Sequence, residues 1–134
     1  MKGKIQIIIV DDNPTFLDGI RTFLDKEMDY EIMAEFSSGI EFLENIADYD
    51  PDLVLLDIEM PELNGIETAR RLNHYGIELK LVAITLYHDQ IYIQQLVEAG
   101  FRGFVNKNKV SEQLFQVINR VMNDELAFPE MPPL

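Results

Sequence analysis

Short apolar runs alternate with amphipathic helical stretches along this chain, and that alternation restricts the fold more than any other feature. The run Ile5–Val10 is apolar and β-branched, as expected of a strand buried on both faces of a parallel sheet. Asn13-Pro14 then supplies an N-cap residue and a proline at the first helical position. Phe16, Ile20, Phe23 and Leu24 follow at helical spacing. Tyr30–Phe36 alternates loosely, which predicts a less buried strand at a sheet edge. Ser38 and Glu41 form a capping box for a helix carrying Ile40, Phe42, Leu43 and Ile46. Asp50-Pro51 breaks the chain before a third strand at 53–56. Pro61 and Asn64-Gly65 mark a loop, and the next helix carries Ile66, Ala69 and Leu72 and stops near Gly76. A fourth strand is expected at 79–85 and a fifth at 101–105. The helix between them carries Ile91, Leu96 and Val97 and ends at Gly100. Ser111 is the expected cap of the last helix, where Leu114, Val117, Ile118, Val121 and Met122 form one stripe.

Five strands and five helices in strict alternation imply parallel strands joined by right-handed helical crossovers. The expected fold is α/β, a doubly wound five-stranded parallel sheet in the flavodoxin-like order 2-1-3-4-5. No Gly-x-Gly-x-x-Gly follows the first strand, which weakens a dinucleotide-binding reading, and the absence of Gly-x-x-x-x-Gly-Lys-Ser/Thr excludes a P-loop. The chain has 134 residues, enough for one domain. That domain is expected over 1–124, with 125–134, which holds Pro129, Pro132 and Pro133, starting a linker or a disordered tail.

Charge and composition narrow the chemistry. The net charge of −13 argues against this domain coating nucleic acid, which needs clustered Lys or Arg. No cysteine is present, so disulfides, thiol catalysis and thiolate metal sites are excluded. No apolar run approaches the ~20 residues that span a bilayer. The start Met1-Lys2-Gly3-Lys4 runs into an apolar stretch too short for a signal peptide, which fits a soluble, cytoplasmic protein.

Ligands of such sheets bind beyond the carboxyl ends of the strands, where the strand order reverses. The reversal falls between strands one and three. Asp11 and Asp12 end strand one, Asp57 ends strand three, Thr85 ends strand four, and Lys107 lies just past strand five. Each alone reads as a solvated loop or a helix cap, but together they put three carboxylates, a hydroxyl and an ammonium on one rim. Two like charges ~4 Å apart repel by about 4 kcal/mol at an effective dielectric of 20. Such a rim raises carboxylate pKa values or recruits a cation. The oxygen donors suit Mg²⁺, and zinc is disfavoured because His74 and His88 lie off the rim. A carboxylate can attack phosphorus to form an aspartyl phosphate, and Asp57 is the best candidate. Asp11 and Asp12 would hold the metal, while Lys107 and Thr85 would contact the phosphate.

These residues resemble the response-regulator receiver family. The matching pieces are Val10-Asp11-Asp12, Leu55-Leu56-Asp57-Ile58-Glu59-Met60-Pro61, Asn64-Gly65, Ile84-Thr85, Ala99-Gly100 and Gly103-Phe104-Val105-Asn106-Lys107. The resemblance covers residues 5 to about 123. It implies that Asp57 accepts phosphate from a sensor histidine kinase and that the Glu59 backbone carbonyl completes the Mg²⁺ shell. It also implies that Thr85 and Phe104 form the switch pair, with Phe104 turning inward, and that Glu59 and Tyr87 tune the phosphate lifetime. The domain is then a signalling module rather than an enzyme, and phosphorylation promotes a homodimer or a domain contact. Asp12-Asn13-Pro14 with Phe16 and Gly19-Ile20, and Asn64-Gly65-Ile66-Glu67-Thr68-Ala69-Arg70-Arg71, are similar to the NarL/FixJ subfamily. That subfamily implies transcriptional output through a C-terminal helix-turn-helix that is not in these residues. Asn13 departs from the His common there, while Asn108 after Lys107 agrees with it. Three alternatives remain. One is a stand-alone receiver acting through protein contacts, and another is an unphosphorylated interaction module. The third is a metal-dependent phosphohydrolase, which would need an aspartate where Glu59 stands.

Overall fold

Each apolar run forms a strand and each intervening stretch a helix in the computed structural model, which describes residues 3–86 and 90–128. The order is β1 (Ile5–Val10), α1 (Pro14–Asp25), β2 (Tyr30–Phe36), α2 (Gly39–Asn45), β3 (Leu53–Asp57) and α3 (Gly65–His74). It continues with β4 (Leu81–Thr85), α4 (Gln90–Glu98), β5 (Phe101–Asn106) and α5 (Val110–Met122). All strands are parallel and the sheet order is β2-β1-β3-β4-β5, as the alternation predicts.

The pleat divides the core into two layers, because successive side chains leave a strand on opposite faces. Ile7, Ile9, Leu53, Leu55, Val82, Ile84 and Val105 pack on one side with Ile20 and Leu24 of α1 and Leu114, Ile118 and Val121 of α5. Ile8, Val10, Val54, Leu56, Ala83 and Phe104 pack on the other, with Phe42 of α2, Ala69 and Leu72 of α3, and Ile93 and Leu96 of α4. β3 and β4 are buried at every residue, so each large aliphatic side chain there contributes about 1.5–3 kcal/mol.

Irregularities keep the pleat in step. The β1–β2 register shifts at Met33 and the β4–β5 register shifts at Arg102. Tyr30 therefore packs with the first layer and Phe36, on the same strand, with the second. Bulges of this kind reorient a strand without ending it.

Local details differ from the sequence reading at several places. Ser38 caps α2 by accepting from the Glu41 amide, but the Glu41 carboxylate returns to the Ser37 amide, not to that of Ser38. Ile40 is exposed, as is Val97 on α4, because Ile93, Leu96 and Ala99 take the inward positions. Ser111 does not cap the last helix. α5 starts at Val110, out of a 3-10 turn over Lys107–Lys109, and that turn is capped by Asn106, which accepts from the Asn108 amide at 2.8 Å. β4 begins at Leu81 rather than 79, while β3 and β5 extend one residue further, to Asp57 and Asn106.

The sequence places the start of a linker or a disordered tail at 125–134; within it, 125–128 lie against the domain. The Ala127 amide donates to the Arg102 carbonyl at 2.8 Å, and the Phe104 amide donates to the Ala127 carbonyl at 3.0 Å. Arg120 donates to the Leu126 carbonyl and pairs with Glu125. Ala127 is buried and Phe128 packs against the second layer. The physical reason is the open edge of β5, whose free amide and carbonyl groups need partners. Pro129, Pro132 and Pro133 lie outside the described residues.

Gly103 sits where this segment, β5 and α5 converge. A Cβ there would lie 3.0 Å from methyl groups of Val117 and Val121 and 3.4 Å from the Ala127 carbonyl oxygen. Gly103→Val should therefore destabilise the domain by about 1–3 kcal/mol despite the higher strand propensity of valine. Urea titration should give a lower midpoint with an unchanged slope, and an unchanged midpoint would show that the close approach is not maintained in solution.

Candidate functional site

The strand ends create the site through their register. Val10 lies beside Leu56, so one further residue on each strand sets Asp11 beside Asp57. Asp57 pairs with Ile84, and Thr85 pairs with Asn106, the residue before Lys107. All five rim residues of the sequence reading therefore gather at the carboxyl end of the sheet.

Asp11, Asp12 and Asp57 each offer a carboxylate oxygen, and these oxygens lie within 4.8 Å of one another. Asp11 and Asp57 are 1% and 2% exposed, whereas Asp12 is open to solvent. The Lys107 Nζ bridges the buried pair, 2.9 Å from Asp11 Oδ2 and 3.4 Å from Asp57 Oδ1. Even so, neither Asp11 Oδ2 nor Asp57 Oδ2 accepts a well-directed hydrogen bond. Buried carboxylate oxygens without such partners are costly. Burial pushes the Asp57 carboxyl up to about 7, with the Asp11 charge adding to it. The Lys107 ammonium and the Glu59 backbone amide only partly offset that rise. For Lys107 burial acts downward, but its close contact with Asp11 and the charges of Asp57 and Asp11 prevail and its pKa is raised.

A hard divalent ion fits this arrangement. The donors are all oxygen, and two of the three acids are already desolvated beside one another. Octahedral Mg²⁺ at ~2.1 Å spans ligand oxygens roughly 3–4.2 Å apart, within the spread of the three acids.

The loop after β3 is built for a close approach. Asn64 caps α3 by accepting from the Glu67 amide at 2.9 Å, and the Gly65 amide donates to the Ile58 carbonyl at 2.9 Å. A Cβ on Gly65 would run into the Asp57 carbonyl oxygen and lie 2.8 Å from Ile58 Cα. Only glycine lets α3 start this close to the end of β3 and so fix the Asp57 backbone.

Thr85 and Phe104 are buried, at 1% and 4% exposure. The Phe104 ring already lies inside the core, so the expected inward turn is not a movement that starts from this arrangement. Glu59 is exposed, and Tyr87 and His88 lie outside the described residues. His74 is exposed at the end of α3, away from the acids.

Three contributors escaped the sequence reading. The Asn106 amide donates to Gln113 Oε1 at 3.1 Å while its side chain caps the following turn, so Asn106 and Gln113 fix the backbone on either side of Lys107. The third is Phe16, read as an apolar helix position and as part of the NarL/FixJ resemblance but not as a site residue, whose ring lies beneath the Lys107 ammonium. An asparagine immediately before the lysine was the one available signal.

Comparison with known proteins agrees with this geometry. Residues 7–119 match the family described as "Response regulator receiver domain". The transcriptional regulatory protein DegU of Brevibacillus brevis is 30% identical over 120 residues, covering 90% of this chain and 51% of DegU. The DNA-binding transcriptional activator EvgA of Escherichia coli is 32% identical over 125 residues, covering 91% of this chain and 59% of EvgA. The chain thus spans about half the length of the curated relatives it matches. A crystal structure of a LuxR-family two-component response regulator from Aurantimonas sp. SI85-9A1 superposes with a TM-score of 0.86 at 25% identity. That match covers 92% of this chain and 89% of the other.

The raised Asp57 pKa has a consequence for stability. Between its ordinary 3.8 and about 7, the folded domain keeps a proton on Asp57 that the unfolded chain releases. Folding is therefore favoured at the acid end of that window, and this contribution is lost as pH rises through about 7. Asp57→Asn should flatten the decline and raise metal-free stability at pH 8 by on the order of 2–4 kcal/mol. Thermal unfolding from pH 5 to 8 checks this, and identical profiles for the two proteins would refute the electrostatic account.

Proposed function

This chain belongs to the response regulator receiver domain family, and from that premise we propose that it is a Mg²⁺-dependent phosphoacceptor that takes a phosphoryl group onto Asp57 from a sensor histidine kinase. The observation that carries the reading is the pair of buried acids bridged by Lys107 beside a third, exposed acid. Mg²⁺ would be held by Asp11, Asp12, Asp57 and the Glu59 carbonyl, and when bound it supplies positive charge to the phosphoryl oxygens. An Asp57 carboxylate oxygen attacks phosphorus as the bond from phosphorus to the kinase histidine breaks, and the imidazole leaves. Lys107 exchanges its contact with Asp57 for one to the transferred group. The domain's role is signalling, with the phosphoryl group as the message rather than a product.

The switch follows from charge. A phosphoryl group adds strong acceptor oxygens at the rim. Thr85 is drawn to them, and the inward Phe104 ring occupies the space behind it. Moving a population from 1:99 to 99:1 requires ~5.5 kcal/mol, and two charge-assisted hydrogen bonds at about 1.5–3 kcal/mol each supply most of that. The outcome is homodimerisation or a changed contact with an output domain. We read the output as transcriptional, through a helix-turn-helix outside these residues, which the names of DegU and EvgA support. The net charge of −13 makes this domain itself a poor DNA ligand. Glu59 and Tyr87 would set the lifetime of the adduct, and the cytoplasm is the compartment that suits a kinase-driven domain. Among the described residues no helix is long and apolar enough to cross a membrane.

Labelling with a small phosphodonor in Mg²⁺ tests the reading. Wild type should incorporate one phosphoryl group that chelator prevents, and Asp57→Asn should incorporate none. Equal labelling of the two would refute the assignment. Lys107→Ala should still form the adduct but lose the accompanying shift in oligomeric state by size-exclusion chromatography. A full shift in that variant would remove Lys107 from the switch.

A further inference from the structure

We propose that Phe16 is a positioning residue for Lys107, holding the ammonium at the acidic pocket through the face of its ring. The inference rests on the phosphoacceptor reading and deepens it. Helical spacing alone makes Phe16 one more member of the apolar face of α1. The structure gives it a second contact: Phe16 packs against the layer that holds Ile20 and Leu24, but unlike them it is only partly buried, and its ring also faces Lys107. Its ring centroid lies 4.6 Å from the Lys107 Nζ, within the range of a cation–π contact.

The contact closes a circuit. Asp11 Oδ1 accepts from the Asn13 amide at 2.9 Å, and Asn13 Oδ1 accepts from the Phe16 amide at 3.2 Å. The Phe16 ring meets the Lys107 ammonium, which returns to Asp11 Oδ2 at 2.9 Å. The backbone of Phe16 is thus tied to the same acid that its ring helps Lys107 to reach. Asn106 and Gln113 fix only the backbone on either side of Lys107. Its ammonium is a point charge on a flexible four-carbon chain and needs a second restraint.

An aromatic ring suits the task better than another carboxylate. During phosphoryl transfer the ammonium must leave Asp57 for the new phosphoryl oxygens. A third acid would hold it back and deepen the negative charge of the pocket. The ring attracts the cation without neutralising it and excludes water from one side. It therefore limits the volume the ammonium explores while leaving its charge available.

The test uses Phe16→Leu, Phe16→Tyr and Phe16→Trp, alone and with Lys107→Ala. The first readout needs no ligand: the Lys107 Cε protons should show an upfield ring-current shift by NMR that Leu abolishes and Tyr or Trp retains. The second is affinity for beryllofluoride with Mg²⁺. Phe16→Leu should weaken it roughly two- to tenfold, and Phe16→Tyr and Phe16→Trp should restore it. In the Lys107→Ala background Phe16→Leu should add no further loss. Unchanged affinity in Phe16→Leu, an undiminished loss without Lys107, or failure of both aromatic variants overturns the proposal. If the wild type binds no beryllofluoride, the phosphoacceptor reading fails, and the ring-current shift still decides whether the contact exists.

Discussion

Asp11 and Asp57 are buried side by side, and a single ammonium lies between them. Carboxylates almost never occupy such positions unless they are paired or metal-bound. Asp57 answers by holding its proton to about pH 7, and Asp57 Oδ2 is left without a hydrogen-bond partner. The rest of the domain makes this arrangement tolerable. β1 and β3 are fully paired in the sheet interior, and their aliphatic side chains anchor both strand ends. A fold held together less firmly would relax the acids apart. That deficit in positive charge would favour a cation at the site and, in the proposed function, a phosphoryl group after it.

The pleat also sorts the chemistry. Asp57 follows Leu55, and Asp11 follows Ile9, so both continue the parity of the layer packed on α1 and α5. Thr85 follows Ala83, and Phe104 lies beside Ala83, so these two continue the layer packed on α3 and α4. The groups that would bind the phosphoryl group and those that would report it are thus supported from opposite faces of one sheet. Phe16 belongs to the first face, which is why a residue of α1 can reach Lys107 at all.

At the β5 edge, backbone satisfaction and function meet. The Arg102 bulge shifts the register and presents a carbonyl that Ala127 pairs with, and Ala127 in turn accepts from the Phe104 amide. Asp124 lies within ion-pair distance of Lys80 and Arg102, although it is largely exposed and such pairs contribute little on their own. The segment closes an edge that would otherwise be open to another strand. It also ties the backbone of a residue assigned to the switch to the chain that follows α5.

Much of this was legible from residue order. The β-branched runs, the Asn13-Pro14 and Ser38 caps and the alternation of periods determined five parallel strands and their order, because each is a local preference repeated along the chain. The rim acids were legible too, since strand ends in this topology converge. Ser111 misled because a serine near a helix start is a weak signal when a preceding turn carries its own cap, here Asn106. The docking of 125–128 was hidden because its partner is the backbone of β5, which has no side-chain signature. The bulges at Met33 and Arg102, the inward Phe104 and the contact of Phe16 with Lys107 arise only when distant segments pack. Sequence alone therefore determined which residues reach the rim. Tertiary structure decided how deeply each is buried and what each one faces, because burial and charge pairing depend on neighbours that lie far apart along the chain.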